Sequence, residues 1–271
     1  MALITLLRKK YSIVKYTMEV VIEGNDELNY KKIEMNTDHR LDTDMLRFPY
    51  ALRGFYSGFN LLINGSSGSG KTNLLVNLLK APHDRKNNVR KSFKKIFENV
   101  IIVSPSLKTL KDDIYKGLKH KFKSFDEETL EHIDNIIEES NEDDDELNKT
   151  LLILDDCGSM LKGANEQMFN HLVKNRRHKH LSIICIVQKF KDASTTHRSN
   201  LTHFITFKPR NEMEMQSLYD EMVGQPRKYM HDIMSSVFAK KYDHLMVDFT
   251  QHGGQGFEYF SNFRKIEFHK K

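Results

Sequence analysis

An α/β fold built on a mainly parallel sheet is the architecture this 271-residue sequence predicts, and three observations predict it. Short unbroken apolar runs, Val100-Ile101-Ile102-Val103, Leu151-Leu152-Ile153-Leu154 and Ile183-Ile184-Cys185-Ile186-Val187, suit central strands covered on both faces. Between them lie stretches with helical spacing, such as Leu130, Ile133, Ile136 and Ile137. A further apolar run, Phe59–Asn64, leads directly into a glycine-rich turn and then an amphipathic segment. Strands alternating with helices imply parallel pairing through right-handed crossovers.

Each element follows in order. Residues 1–46 read as an N-terminal extension with small strands, such as Met18–Ile22, or partial disorder, and residues 47–271 as the main domain. The first core strand falls near 59–64. The helix after it runs to about Lys80 and is broken by Pro82-His83-Asp84. The second strand, Asn99–Val103, is stopped by Ser104-Pro105-Ser106. Residues 107–123 mix turns and helix, and an amphipathic helix around Leu130–Ile137 follows. The third strand covers 151–155. A helix over Gln167–Lys174 turns Met168, Leu172 and Phe169 inward. Strands at Leu181–Val187 and His203–Phe207, helices near 211–222 and 226–239, and strands near 244–250 and 258–267 complete the chain. Gln251-His252-Gly253-Gly254-Gln255-Gly256 reads as a flexible turn between the last two strands. No internal repeat is visible.

The most informative stretch is Gly65-Ser66-Ser67-Gly68-Ser69-Gly70-Lys71-Thr72, which fits the G-x-x-x-x-G-K-[ST] phosphate-binding loop at every fixed position. A strand before it and a helix beginning with Asn73 after it make an anion site, because backbone N–H groups and the helix dipole converge there. Lys71 would reach the β- and γ-phosphates of ATP, and the Thr72 hydroxyl would hold Mg²⁺. Leu151-Leu152-Ile153-Leu154-Asp155-Asp156 supplies the second half of such a site. Carboxylates at the C-terminal end of a central strand emerge where open α/β sheets bind ligands. Asp155 is the Mg²⁺ partner, directly or through water, and Asp156 the group that orients or deprotonates attacking water. Gln188, at the tip of the fourth strand, could hydrogen-bond both that water and the γ-phosphate, or be a plain loop residue. Together these features describe a P-loop NTPase three-layer sandwich with a C-terminal strand extension.

Charge is unevenly placed. Residues 126–147 hold 12 of the 37 acidic side chains and no Lys or Arg, so the rest of the chain carries 42 basic against 25 acidic residues. The net +5 therefore conceals a basic body suited to a polyanion such as DNA. Basic clusters lie at Arg85–Lys95, Lys108–Lys123 and Lys174–His180, and each also reads as ordinary solvated surface. An acidic mobile loop is expected at about 138–149. The two cysteines, Cys157 and Cys185, read as packing residues in a reducing compartment. No apolar stretch approaches the ~20 residues that span a membrane. His178 and His180 flank Lys179 without tight metal-ligand spacing.

The order of phosphate loop, Leu-Leu-Ile-Leu-Asp-Asp, Arg176-Arg177-His178-Lys179-His180-Leu181-Ser182-Ile183 leading to Gln188, and Thr196-His197-Arg198-Ser199-Asn200-Leu201 resembles the viral genome-packaging ATPases of poxviruses, giant viruses and virophages, within the HerA/FtsK superfamily. The resemblance covers about residues 47–210. It implies an additional strand, carrying Gln188, between the Lys71 and Asp155 strands. It also implies a homo-oligomeric ring, commonly a hexamer, that hydrolyses ATP at subunit interfaces and moves double-stranded DNA without regard to sequence. Arg177 or Arg198 would complete a neighbour's site, with Arg177 preferred; Arg198 would otherwise contact the phosphate-sensing loop that follows Gln188, or the interface. A capsid or portal-site protein would be a partner, and the host cytoplasm, viral factory or virion the setting. Many superfamily members carry Asp-Glu where this chain has Asp155-Asp156, one methylene shorter at the base. A helicase or repair ATPase of the same superfamily, a P-loop nucleoside or nucleotide kinase, and a nucleotide-dependent scaffold without turnover are the alternatives.

Overall fold

Among the described residues ten strands form one sheet; six run parallel, and five of these, buried and apolar over most of their length, lie at its centre. The computed structural model describes residues 18–23, 58–80, 97, 99–108, 115, 117–141, 150–250 and 257–270. In chain order the elements are β1 (Met18–Glu23), β2 (Asn60–Asn64), α1 (Lys71–Lys80), β3 (Asn99–Val103), β4 (His120–Phe122), α2 (Glu127–Asn141), β5 (Thr150–Asp155), α3 (Ala164–Asn175), β6 (Leu181–Val187), α4 (Thr195–Ser199), β7 (His203–Phe207), α5 (Glu212–Leu218), α6 (Met230–Val237), β8 (His244–Asp248), β9 (Glu258–Ser261) and β10 (Arg264–Lys270). Their spatial order is β1-β10-β9-β8-β7-β2-β6-β5-β3-β4.

β6 lies between β2 and β5 and is parallel to both. All seven of its residues are buried, which its sequence allows because only Ser182 is polar. β7 pairs with the other side of β2, also parallel, and β3 and β4 continue the parallel set beyond β5. From β8 onward every pairing is antiparallel, and β1 closes the far edge against β10.

Alternation along the strands divides the core in two. Ile63, Ile102, Ile153, Ile184 and Ile186 face α1, where Leu74, Leu75, Leu78 and Leu79 cover them. Leu62, Ile101, Leu152, Ile183 and Cys185 face the other way, toward Ile133 and Ile137 of α2, Phe169, Leu172 and Val173 of α3, and Ile233 and Met234 of α6. Each such buried aliphatic side chain contributes about 1.5–3 kcal/mol. This is the three-layer sandwich with the inserted strand and the C-terminal antiparallel extension.

Several expectations change in detail. His120–Phe122 is an edge strand, within a stretch expected to hold only turns and helix. α3 turns Phe169, Leu172 and Val173 inward, whereas Met168 is only half-buried. The strand expected over 258–267 is a hairpin, because Asn262 and Phe263 take φ of 50° and 66°, the pairing that a tight two-residue turn requires. The helix expected over 211–222 is α-helical only to Leu218 and then widens into a π turn at Tyr219–Val223, and the next begins with a 3₁₀ turn at Arg227–Tyr229. α2 stays helical through Asn141, beyond the expected start of the acidic loop. The rest of that acidic stretch, the cluster at Arg85–Lys95, Lys111, Lys116, the Gln251–Gly256 turn and all of residues 1–46 except β1 lie outside the described residues. Among the described residues, no helix is long and apolar enough to cross a membrane.

Candidate active site

Parallel strands place their C-terminal ends along one edge, and the site assembles there. Asn64 at the end of β2 is in register with Val187 of β6, and Asp155 at the end of β5 with Ile186. The residues that follow, Gly65, Gln188 and Asp156, therefore leave the sheet side by side. A hydrogen bond from the Gly65 N–H to the Val187 carbonyl, at 3.3 Å, ties the start of the glycine loop to the inserted strand.

The loop from Gly65 to Gly70 closes on itself through Ser69 N–H to the Ser66 carbonyl at 3.1 Å, and α1 opens with Leu74 N–H to the Gly70 carbonyl at 2.8 Å. Two glycines are required for specific reasons. Gly70 takes φ +105° with the Tyr242 ring against it, and a Cβ at Gly65 would lie 2.6 Å from Ser69 Oγ and 3.0 Å from Phe207 Cβ. Ser66, Ser67 and Gly68 form the outer arc of the loop, with Ser67 and Gly68 exposed. Thr72 and Asn73 lie half-buried in the first turn of α1.

Lys71 is buried, and its ammonium donates to the Gly65 carbonyl at 2.6 Å and the Ser66 carbonyl at 3.0 Å. Burial holds its pKa below the usual lysine value, against the opposing pull of Asp156 and then Asp155. Arg210, just beyond β7, adds a second positive charge that pushes the same way as burial. Asp155 is also buried, and burial raises its carboxyl above the ordinary range; the Tyr115 hydroxyl opposes that shift. Tyr115 donates to Asp155 Oδ2 at 2.7 Å.

Asp156 sits in the left-handed region at φ 60°, an uncommon conformation for a residue with a side chain. Its Oδ1 accepts a hydrogen bond from Gln188 Nε2 at 2.8 Å. Cys157 then turns inward, its thiol donating to the Val103 carbonyl at 3.2 Å, and both cysteines are buried and free. Lys71, Asp155, Asp156 and Gln188 thus converge on one edge.

The two arginines singled out from the sequence lie elsewhere. Arg177 precedes β6, and its Cα is 3.8 Å from the Cβ position of Gly58, ahead of β2. It therefore belongs to the opposite edge of the sheet, roughly 20 Å away along the seven residues of β6. It is exposed. Arg176 beside it is not surface charge: it is 5% exposed and donates to the Gly58 and Val173 carbonyls at 3.2 and 2.8 Å. Arg198 is engaged within its own subunit. It pairs with Glu221 at 2.6 Å, donates to the Ala193 carbonyl and stacks over the Phe190 ring at 4.9 Å. Phe190 and Ala193 belong to the segment that follows Gln188.

Sequence reading did not single out Tyr115, Arg210 or Tyr242. Tyr115 stands among basic residues with no motif, and Arg210 and Tyr242 approach the loop only through the pairing of β2, β7 and β8. Among the described residues there is no cluster of His, Cys, Asp and Glu suited to hold a metal on its own. A buried carboxylate whose second oxygen is free of hydrogen bonds among the described residues, beside a second carboxylate and the ammonium of Lys71, with Thr72 following Lys71 in the first turn of α1, nonetheless fits a phosphate-bound Mg²⁺, which takes only one or two protein ligands.

The family model described as Poxvirus A32 protein matches residues 51–251. Among solved structures, the DNA-packaging ATPase B204 from Sulfolobus Turreted Icosahedral Virus is similar in fold, with 14% identity and a TM-score of 0.53 over 79% of this chain and 98% of that one. B204 from Sulfolobus turreted icosahedral virus 2, solved in complex with AMPPCP, has 15% identity and a TM-score of 0.49 over 78% and 97% of the two chains. No curated protein matches the sequence at a significant level.

Proposed function

The chain belongs to the Poxvirus A32 protein family, and on that premise we propose that it is an ATPase that drives viral double-stranded DNA into the capsid, working as a homo-oligomeric ring. The observation that carries this reading is the convergence of Lys71, Asp155, Asp156 and Gln188 at one sheet edge, with Gln188 bonded to Asp156 on the strand inserted beside the phosphate loop.

ATP is the substrate. The loop N–H groups from Ser66 to Thr72 and the α1 dipole bind its phosphates. Lys71 then exchanges its loop carbonyls for phosphate oxygens. Thr72 and Asp155 are the residues that would hold Mg²⁺, which would supply charge neutralisation to the bound phosphates. Asp156 accepts the proton of the attacking water and aligns it in line with the γ-phosphoryl group. Gln188 reaches the same water through its amide. When the γ-phosphate leaves, Gln188 loses a partner, and the segment containing Phe190, Ala193 and the Arg198 clasp is positioned to respond. Arg177, on the far edge, would serve a neighbouring subunit's site rather than its own and stabilise charge on the transferring phosphoryl group there. A hexamer is the ring this reading expects. Motion along the DNA backbone, which carries little sequence information, suits a pump that must move any genome segment.

The test is ATP hydrolysis with and without long duplex DNA across a range of protein concentrations. Stimulation by DNA that rises steeply with concentration supports the motor. Turnover indifferent to both, with phosphate passed to a nucleoside acceptor, replaces it with a kinase.

A further inference from the structure

We propose that Tyr115 is a positioning residue for the metal-holding carboxylate Asp155: its hydroxyl fixes Oδ2 and so presents Oδ1 to the Mg²⁺ that accompanies ATP. This inference rests on the ATPase reading above.

The geometry is specific. The Tyr115 hydroxyl donates to Asp155 Oδ2 at 2.7 Å, and the two side chains are 1% and 5% exposed. The ring lies in the apolar cluster on the α1 face, together with Val100, Ile102 and Ile153. Packing alone would be served equally by phenylalanine. A phenol there carries an O–H that, without a partner, would cost about 1–3 kcal/mol of desolvation, so its presence is accounted for by the carboxylate it meets.

The consequence for Asp155 follows from the chemistry of a carboxylate. Its terminal torsion is broad and nearly two-fold, so a free side chain would sample many orientations. A hydrogen bond to one oxygen selects a single orientation and leaves the lone pairs of the other available. Among the described residues, Oδ1 accepts no hydrogen bond. Groups that orient a metal ligand in this way cost about 10–100-fold in metal affinity when removed.

The probe is Mn²⁺, titrated by electron paramagnetic resonance against the full-length protein with ADP bound, with ADP affinity measured separately in the presence of a chelator. Tyr115→Phe is expected to weaken Mn²⁺ binding by about 10-fold or more while leaving metal-free ADP affinity unchanged. In an Asp155→Ala background, which is weak already, adding Tyr115→Phe should change nothing further. Parent-like Mn²⁺ affinity in Tyr115→Phe overturns the proposal, as does an equal drop in both backgrounds. Loss of metal-free ADP binding in Tyr115→Phe would make Tyr115 a folding residue and overturn it too. If Asp155→Ala itself binds Mn²⁺ like the parent, the metal assignment of the proposed function fails, a result separable from failure at Tyr115 alone.

Discussion

Gln188 Nε2 donates to Asp156 Oδ1 at 2.8 Å, across 32 residues of sequence and from one strand end to the next. The bond joins the residue that would sense the γ-phosphate to the residue that would activate water. Asp156→Asn removes the proton acceptor and should lower ATP turnover by about 10²–10⁴-fold while ATP binding persists. Gln188→Leu should lower turnover by about tenfold or more, with ATP affinity little changed. Steady-state hydrolysis beside equilibrium ATP binding separates the two effects, and loss of binding in either variant would place that residue in ATP recognition instead.

The glycine loop tolerates no added carbon at its first residue. Gly65→Ala brings a Cβ to within 2.6 Å of Ser69 Oγ and 3.0 Å of Phe207 Cβ. Phe207 is buried at the end of β7 and has little freedom to yield. The overpacking costs about 1–3 kcal/mol and displaces the carbonyl that Lys71 uses. A fall in melting temperature and a loss of ATP affinity together are expected. Unchanged melting would mean the loop absorbs the carbon by itself.

Arg177 sits on the edge opposite the phosphate loop of its own chain, so its contribution should be intermolecular. Lys71→Ala and Arg177→Ala should each abolish turnover, the second by about 10³-fold or more. Mixing the two inactive variants creates interfaces with an intact loop from one subunit and an intact arginine from the next. Partial recovery of hydrolysis on mixing is the expected result, and no recovery at any ratio would remove Arg177 from the neighbour's site.

His197 and His244 are buried and neutral. Burial pushes their pKa values down to about 3 and about 4, from 6.5. His197 is held by Asn60 Oδ1 at 3.0 Å and by a T-shaped contact with the Phe169 ring. Because the unfolded chain takes up these protons and the folded chain does not, stability is complete above pH 6.5 and declines as pH falls toward 4. Each residue should cost about 1.4 kcal/mol per pH unit in that window. Urea midpoints measured from pH 7.5 to 5 should fall accordingly, and His197→Asn should flatten the decline.

What the sequence alone determined is local in nature. The glycine loop, the apolar runs of β3, β5 and β6, and the carboxylates ending β5 are each written in consecutive residues. Strand and helix periods, turn chemistry and the anion-binding loop depend on neighbours a few positions apart. The inserted strand and the far-edge arginine came from the order of motifs in a family, since periodicity says nothing about which strand lies beside which.

Tertiary structure decided the rest. Arg176 and Arg177 are identical letters side by side, yet the turn into β6 buries one against the Gly58 carbonyl and leaves the other in solvent. From sequence Arg198 suited either a neighbour's site or the loop after Gln188, and packing against Phe190 and Glu221 binds it to that loop. Tyr115 reaches Asp155 across 40 residues. The hairpin at Asn262-Phe263 and the edge strand β4 form because a neighbouring strand supplies hydrogen bonds that their own sequences do not demand. These relationships depend on which surfaces meet when the sheet closes, and that is settled by the packing of the whole core.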